Sequence, residues 1–234
     1  MANKHKKGKK NSLSTITMIT ILVFLIGFGV VAVYQSATNR QDKQTETART
    51  YDIDYTGQPR IGDSNAPVKI MEFADFKCPV CKTFAETVYP RLKKEYIDTG
   101  KVQLYFNNYQ FIGDDSITAG MAGESVYKQN SEAFWKFYET VLKNQKDETT
   151  AWATPEFLLQ LIKKEIPEVD VEKVKEDLEK KTYLQEVMED NSKAENLMIA
   201  SVPTLVINGK KVENPLDYQA LKQMIEEELK NSAK

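Results

Sequence analysis

Histidine is almost missing from this chain. The one copy in 234 residues, His5, lies in a lysine-rich start, so a folded domain further along has no imidazole to use. That excludes Ser-His-Asp and Cys-His catalysis and most catalytic zinc sites. Cysteine is nearly as scarce, with only Cys78 and Cys81. A structural zinc or iron–sulfur site draws on about four ligands, as two Cys pairs or Cys with His. Acidic residues are absent from the first 34 positions, and charge of either sign is absent from Leu13 to Tyr34. There are no internal repeats.

What stands in place of charge at the start is MANKHKKGKK, five lysines in ten residues, followed by LSTITMITILVFLIGFGVVAVY. Twenty-two residues at about 1.5 Å each reach roughly 33 Å, enough for a hydrocarbon core of about 30 Å. The spacing predicts a basic cytoplasmic tail over residues 1–12 and a transmembrane anchor over 13–34. The preceding lysines place everything after Tyr34 outside. A cleaved secretory signal is the alternative, but its apolar region spans about 7 to 15 residues and ends in a small-x-small site that VAVYQSATN does not offer. No cysteine follows the apolar run, which excludes a lipoprotein anchor. The expected location is the cell membrane, single-pass, with the domain on the extracytoplasmic side.

Beyond Tyr34, 27 of the 32 Lys and Arg face all 34 Asp and Glu. This acidic balance argues against a nucleic-acid partner and against a basic membrane-surface patch. Residues 35–59 are polar and are expected to form a linker. VKIMEF, Val68 to Phe73, suits a strand buried on both faces, and VQLYFNNY, from Val102, a second. Between them Val80, Phe84, Val88, Leu92 and Tyr96 recur every four residues, which predicts a helix kinked at Pro90 and closed by Gly100. A helical region is expected over 114–198, with Thr154 as an N-cap before Pro155 and an apolar stripe of Val171, Val174, Leu178, Tyr183, Leu184, Val187 and Met188 on a solvated helix. VPTLVING predicts a strand turning at Asn208-Gly209 into a hairpin, and an amphipathic helix ends the chain.

In EFADFKCPVCKTF, two thiols lie outside the cytosol, where thiols are oxidised. A bridge across two residues closes too small a loop to restrain an unfolded chain, so it does not serve as a staple. Cys78 is placed as a helix N-cap, with Pro79 in the first turn and Cys81 three residues on along the same face. Backbone N–H groups and the helix dipole then favour a Cys78 thiolate, and a pair whose reduced form is stabilised is an oxidant. From the residues alone, Val202-Pro203 is open between a cis bond and a trans strand start. Glu72 is open between a buried acid and a solvated strand end, and Lys77 between a source of positive potential beside Cys78 and, more simply, an exposed side chain.

EFADFKCPVC, some 80 helical residues, and SVPT before a last hairpin and helix resemble a DsbA-type thiol-disulfide oxidoreductase, closest to its membrane-anchored Gram-positive form, over about residues 57–231. The resemblance implies a thioredoxin-like α/β fold, residues 60–113 and 199–234, interrupted by a helical insert at 114–198. It implies that Cys78 is the attacking cysteine and Cys81 the buried resolving one. It places Val202 and Pro203 in a cis-proline loop that receives an extended substrate, and makes Glu72 a buried acid that moves protons to and from Cys81. Best-known members have His where Val80 stands, which leaves the strength of the oxidising character open. It also aligns Gln58, Glu124 and Asp190 with oxygen ligands of a calcium site, against ordinary solvated or salt-bridged side chains.

The implied function is an extracytoplasmic oxidase that passes its Cys78-Cys81 disulfide to exported proteins with free cysteines, with no cofactor beyond that disulfide. A DsbB-like membrane quinone reductase would reoxidise it. The rivals are a thioredoxin-like reductase or isomerase, and a redox-inert membrane-tethered binding or chaperone module.

Overall fold

The computed structural model describes Phe28, Val31 and Gln35, then residues 49–110 and 112–232. The expected basic tail lies outside the described residues, and so does the expected membrane span except for Phe28 and Val31. Both of these are helical and exposed. Among the described residues no helix is long and apolar enough to cross a membrane. Residues 50–234 form one compact unit.

Its centre is a five-stranded sheet in the order β1-β3-β2-β4-β5. β1 is Arg60–Ile61, β2 Val68–Ala74, β3 Val102–Asn108, β4 Thr204–Ile207 and β5 Lys210–Lys211. β2 and β3 run parallel from Val68↔Val102 to Ala74↔Asn108, and the other neighbours are antiparallel. A parallel pair requires a long crossover. That crossover is α1, Pro79–Thr87, then α2, Tyr89–Leu92, continuing as a π-helical turn over Lys93–Ile97. The single kinked helix expected here is therefore two helices. Pro90 has no N–H to continue the ladder of α1, so α1 closes on Val88 N–H···O=C Phe84 and α2 restarts with Pro90 in its first turn.

Five helices fill the interval between β3 and β4: α3 Asp114–Gln129, α4 Ser131–Lys143, α5 Pro155–Glu165, α6 Val171–Lys180 and α7 Leu184–Asn196. Thr154 caps α5 through Phe157 N–H. The stripe expected over 171–188 is broken between α6 and α7 at Lys181, which is left-handed (φ 52°), and Met188 points outward instead of joining it. α8, Tyr218–Ser232, ends the fold. The hairpin turns at Asn208 and Gly209, both with positive φ; a Cβ on Gly209 would stand 2.9 Å from Tyr51 O.

The period-two alternation of β2 separates two apolar layers. Val68, Ile70 and Ala74 pack with α1, α2 and α4, while Met71 and Phe73 face Tyr51, Tyr105, Ile199 and Val206. The second face corrects the expected linker. Residues 50–59 are a strap laid across the sheet: Tyr51, Ile53 and Tyr55 turn inward, Asp52 and Asp54 outward. Tyr51 N–H bonds Gly209 O at 2.8 Å and Phe106 N–H bonds Pro59 O at 2.9 Å. The expected linker over 35–59 thus runs at most to Arg49, because three apolar side chains at alternate positions bury too much surface to stay in water.

Candidate active site

β2 ends in a turn that aims Cys78 at the start of α1. Asp75, fully buried, accepts from Lys77 N–H (2.8 Å), Ile112 N–H (2.8 Å) and Ser116 Oγ (2.9 Å). Cys78 N–H then bonds Asp75 O at 3.0 Å. Cys78 has extended backbone and is the N-cap of α1, with Pro79 in the first turn. Both thiols are free and buried. Cys81 N–H points at Cys78 Sγ at 3.4 Å, and Cys78 Sγ lies 3.5 Å from Val202 O. Val202-Pro203 is cis, so this loop and the cysteines form one site, with Pro79 and Val80 exposed at its rim.

The two thiols are driven apart electrostatically. Cys78 is lowered from 9.0 to about 7: the Cys81 side chain bonding its sulfur does most, and N–H groups of Cys81 and Val80 add to this against burial and the Asp75 charge. Cys81 is pushed well above its ordinary value, first by burial, then by its bond to Cys78 and the charges of Cys78 and Glu72. One sulfur is poised as a thiolate, and the other stays protonated. The helix start accounts for part of this, but the largest cause, the neighbouring thiol itself, was not evident from the motif.

Glu72 faces α4 from the strand beneath. It is fully buried, and both its oxygens accept from Tyr138 Oη, at 3.0 and 3.1 Å. Burial raises it to about 8, against the Tyr138 bond that lowers it, with the Cys78 charge adding to the rise. Such a carboxyl is neutral at neutral pH and can give a proton to a leaving thiolate.

Other side chains hold the active-site turn in place, and Gln145 among them carries no mark in the sequence. Lys77, the simplest reading of which is an exposed side chain, is 3% exposed, its Nζ bonded to Asp115 Oδ1 at 2.5 Å and Thr150 O at 3.0 Å. A buried ammonium needs such partners. Gln145, just past α4, donates from Nε2 to Phe76 O at 2.7 Å and Cys78 O at 3.0 Å, gripping the active-site turn from the insert. Gln145→Ala is expected to loosen the alignment of Cys78 Sγ with the helix start and raise its pKa by about 1 unit. Titrating the thiolate absorbance of the reduced protein measures this; an unchanged midpoint would show that the turn holds itself.

Gln58, Glu124 and Asp190 form a second buried group. Gln58 Nε2 donates to Asp190 Oδ1 at 2.6 Å, and Asn108 N–H to Asp190 Oδ2 at 3.2 Å. Burial raises Glu124 to about 7, with the Asp190 charge contributing, and burial raises Asp190 to about 6. Gln58 Oε1 is buried without a partner. Among the described residues no three His, Cys, Asp or Glu side chains gather, so a cation here would draw on these two carboxylates plus amide and backbone oxygen. Two crowded carboxylates and an orphaned amide oxygen fit a hard, oxygen-loving cation.

Residues 54–227 match the family described as Thioredoxin. The chain is 42% identical over 222 residues to the probable disulfide bond formation protein D of Bacillus cereus, covering 95% of this chain and 99% of that one. It is 36% identical to disulfide bond formation protein D of Bacillus subtilis, over 82% of this chain and 86% of the relative. This chain belongs to the disulfide bond formation protein D family. The oxidised crystal structure of BdbD from Bacillus subtilis superposes with a TM-score of 0.74 at 37% identity, covering 78% of this chain and 98% of that one. DsbA of Chlamydia trachomatis superposes at 0.68 with 25% identity, covering 75% and 93%. The thioredoxin-like fold with its helical insert, implied by the resemblance of the motifs, is thus the fold of this disulfide bond formation protein D relative.

Proposed function

We propose that this chain is a thiol-disulfide oxidase that donates the Cys78-Cys81 disulfide to exported proteins folding outside the cytosol. The observation that carries the direction is the splitting of the two thiols. Stabilising the Cys78 thiolate stabilises the dithiol, and a pair that prefers the dithiol gives its disulfide away. A substrate thiolate attacks Cys78 Sγ, the bond to Cys81 breaks, and Cys81 takes the proton held by Glu72. The substrate's second thiolate then attacks the mixed disulfide and releases Cys78 as thiolate. Equilibrating the protein with glutathione buffers tests the direction: a potential well above that of thioredoxin, about −270 mV, is expected. A value near thioredoxin's would make the protein a reductase.

The uncharged run from Leu13 to Tyr34 behind five lysines supports a membrane tether, with the catalytic domain outside and reoxidation by a DsbB-like quinone reductase in the same membrane. Protease added to intact protoplasts should release or digest the domain; full protection would place it inside.

The group of Gln58, Glu124 and Asp190 supports calcium binding, structural and outside the chemistry. It ties the strap to α3 and α7, and a cation relieves the crowding of two buried carboxylates. Calcium at a hundredfold excess over Kd should stabilise the protein by about 3 kcal/mol in thermal unfolding, and Asp190→Asn should remove the effect. Equal gains in both proteins would locate binding elsewhere.

A further inference from the structure

The exchange leaves Glu72 with a proton to recover. When Cys81 departs as a thiolate and takes its proton, Glu72 becomes an ion with no solvent contact. In reoxidation Cys81 must surrender that proton to attack Cys78, and Glu72 can accept it only after releasing its own. At both moments the front of the site is covered, because Cys78 is bonded to the substrate or the reoxidant.

Resting on the oxidase reading, we propose that Glu72 exchanges its proton with solvent through the back of the molecule, by way of Tyr138 and Tyr89, into a groove walled by Tyr89, Trp135 and Glu139. The first link is direct, since Tyr138 Oη bonds both oxygens of Glu72. Tyr138 is fully buried, and its ring meets the Tyr89 ring edge-on with centroids 5.4 Å apart. Tyr89 Oη and Trp135 Nε1 are both buried without a protein partner. Their rings stack with centroids 5.8 Å apart. Two orphaned donors on adjacent rings suit a bound water, which takes two to four polar partners. The same rings line a groove of about 1000 Å³ that also carries Lys93, Lys136 and the exposed carboxylate of Glu139. In the proposed route a water beside Tyr89 Oη and Trp135 Nε1 also meets Tyr138 Oη, whose ring packs edge-on against Tyr89, and so completes the chain from Glu72 to the groove. Each hydroxyl passes one proton on as it takes one up, so both tyrosines end neutral and only Glu72 changes charge.

Tyr89→Phe and Tyr138→Phe keep the rings and remove the hydroxyls. The test follows steady-state oxidation of a dithiol peptide by the full chain with glutathione disulfide as reoxidant, in H2O and in D2O, alongside the reduction potential and the infrared carboxyl band of Glu72. Tyr89→Phe should slow the reaction by about tenfold or more and enlarge the solvent isotope effect, with the potential unchanged. Tyr138→Phe should do the same and also raise the pH at which the carboxyl band disappears, because the ionised Glu72 loses its hydrogen bond. A Tyr89→Phe rate within about twofold of the parent, with the same isotope effect, overturns the route, as does a slowing that only follows a shifted potential. Failure of the parent protein to oxidise the peptide would instead sink the oxidase reading.

Discussion

Glu72→Gln should stabilise the protein at pH 8 by on the order of 4 kcal/mol and change little below pH 4.5. The folded carboxyl titrates near 8, the free one near 4.5, so between those values the folded state holds a proton that the unfolded state has lost. The contribution of Glu72 to stability is therefore complete below pH 4.5, falls as pH rises through that window, and is flat above it. Gln keeps an oxygen for Tyr138 Oη and cannot ionise. Urea unfolding of both proteins from pH 4 to pH 9 should give curves that part progressively. Parallel curves would mean that Glu72 reaches solvent. The same variant should oxidise substrate more slowly, by about a hundredfold, because Cys81 loses its proton donor.

The reduced protein should unfold at a higher temperature than the oxidised one, and the gap should widen with pH. Cys78 is held at about 7 against an ordinary 9.0. Its stabilisation of the reduced form is thus fully present above pH 9 and is lost as pH falls through 7; the oxidised form has no such group. The gap should grow by about 2 kcal/mol across that window. Cys81, pushed well above 9.0 by burial, adds no pH dependence below that value. Val80→His should lower the Cys78 pKa by about 1 unit further, since an imidazolium at that exposed position adds positive charge beside the sulfur. Calorimetry on both redox forms measures the gap. An oxidised form of greater stability would reverse the direction of the chemistry.

What was legible in the sequence is what the backbone sets locally. Cys78, Pro79 and Cys81 belong to one helix start, and the turn at Asn208-Gly209 carries its own signal. Val202, Pro203 and Glu72 became legible through the DsbA-type resemblance, since nothing local favours a cis bond or brings a strand-end acid under a helix. Tyr138 was not legible. It stands 66 residues from the carboxyl it serves, and in α4 it looks like any other core aromatic. Gln145 and Asp115 were hidden for the same reason, because only the docking of the insert brings them to the active-site turn. The strap did carry a signal: Tyr51, Ile53 and Tyr55 alternate with Asp52 and Asp54, the period of a chain lying on a sheet. It was masked by the polar stretch before it.

The two outer strands, β1 and β5, are only two residues long, and Thr50 pairs with Lys210 along the far side of β5. An open sheet edge offers unpaired N–H and C=O groups to any extended chain that meets it. An oxidase for newly exported proteins meets such chains continually, at the stage when their own strands are still unpaired. With its margins shortened and one of them occupied by its own strap, the sheet gives a client little to zip onto. In the proposed oxidase this leaves the cis loop at Val202, beside Cys78 Sγ, as the place where an extended client is expected to pair.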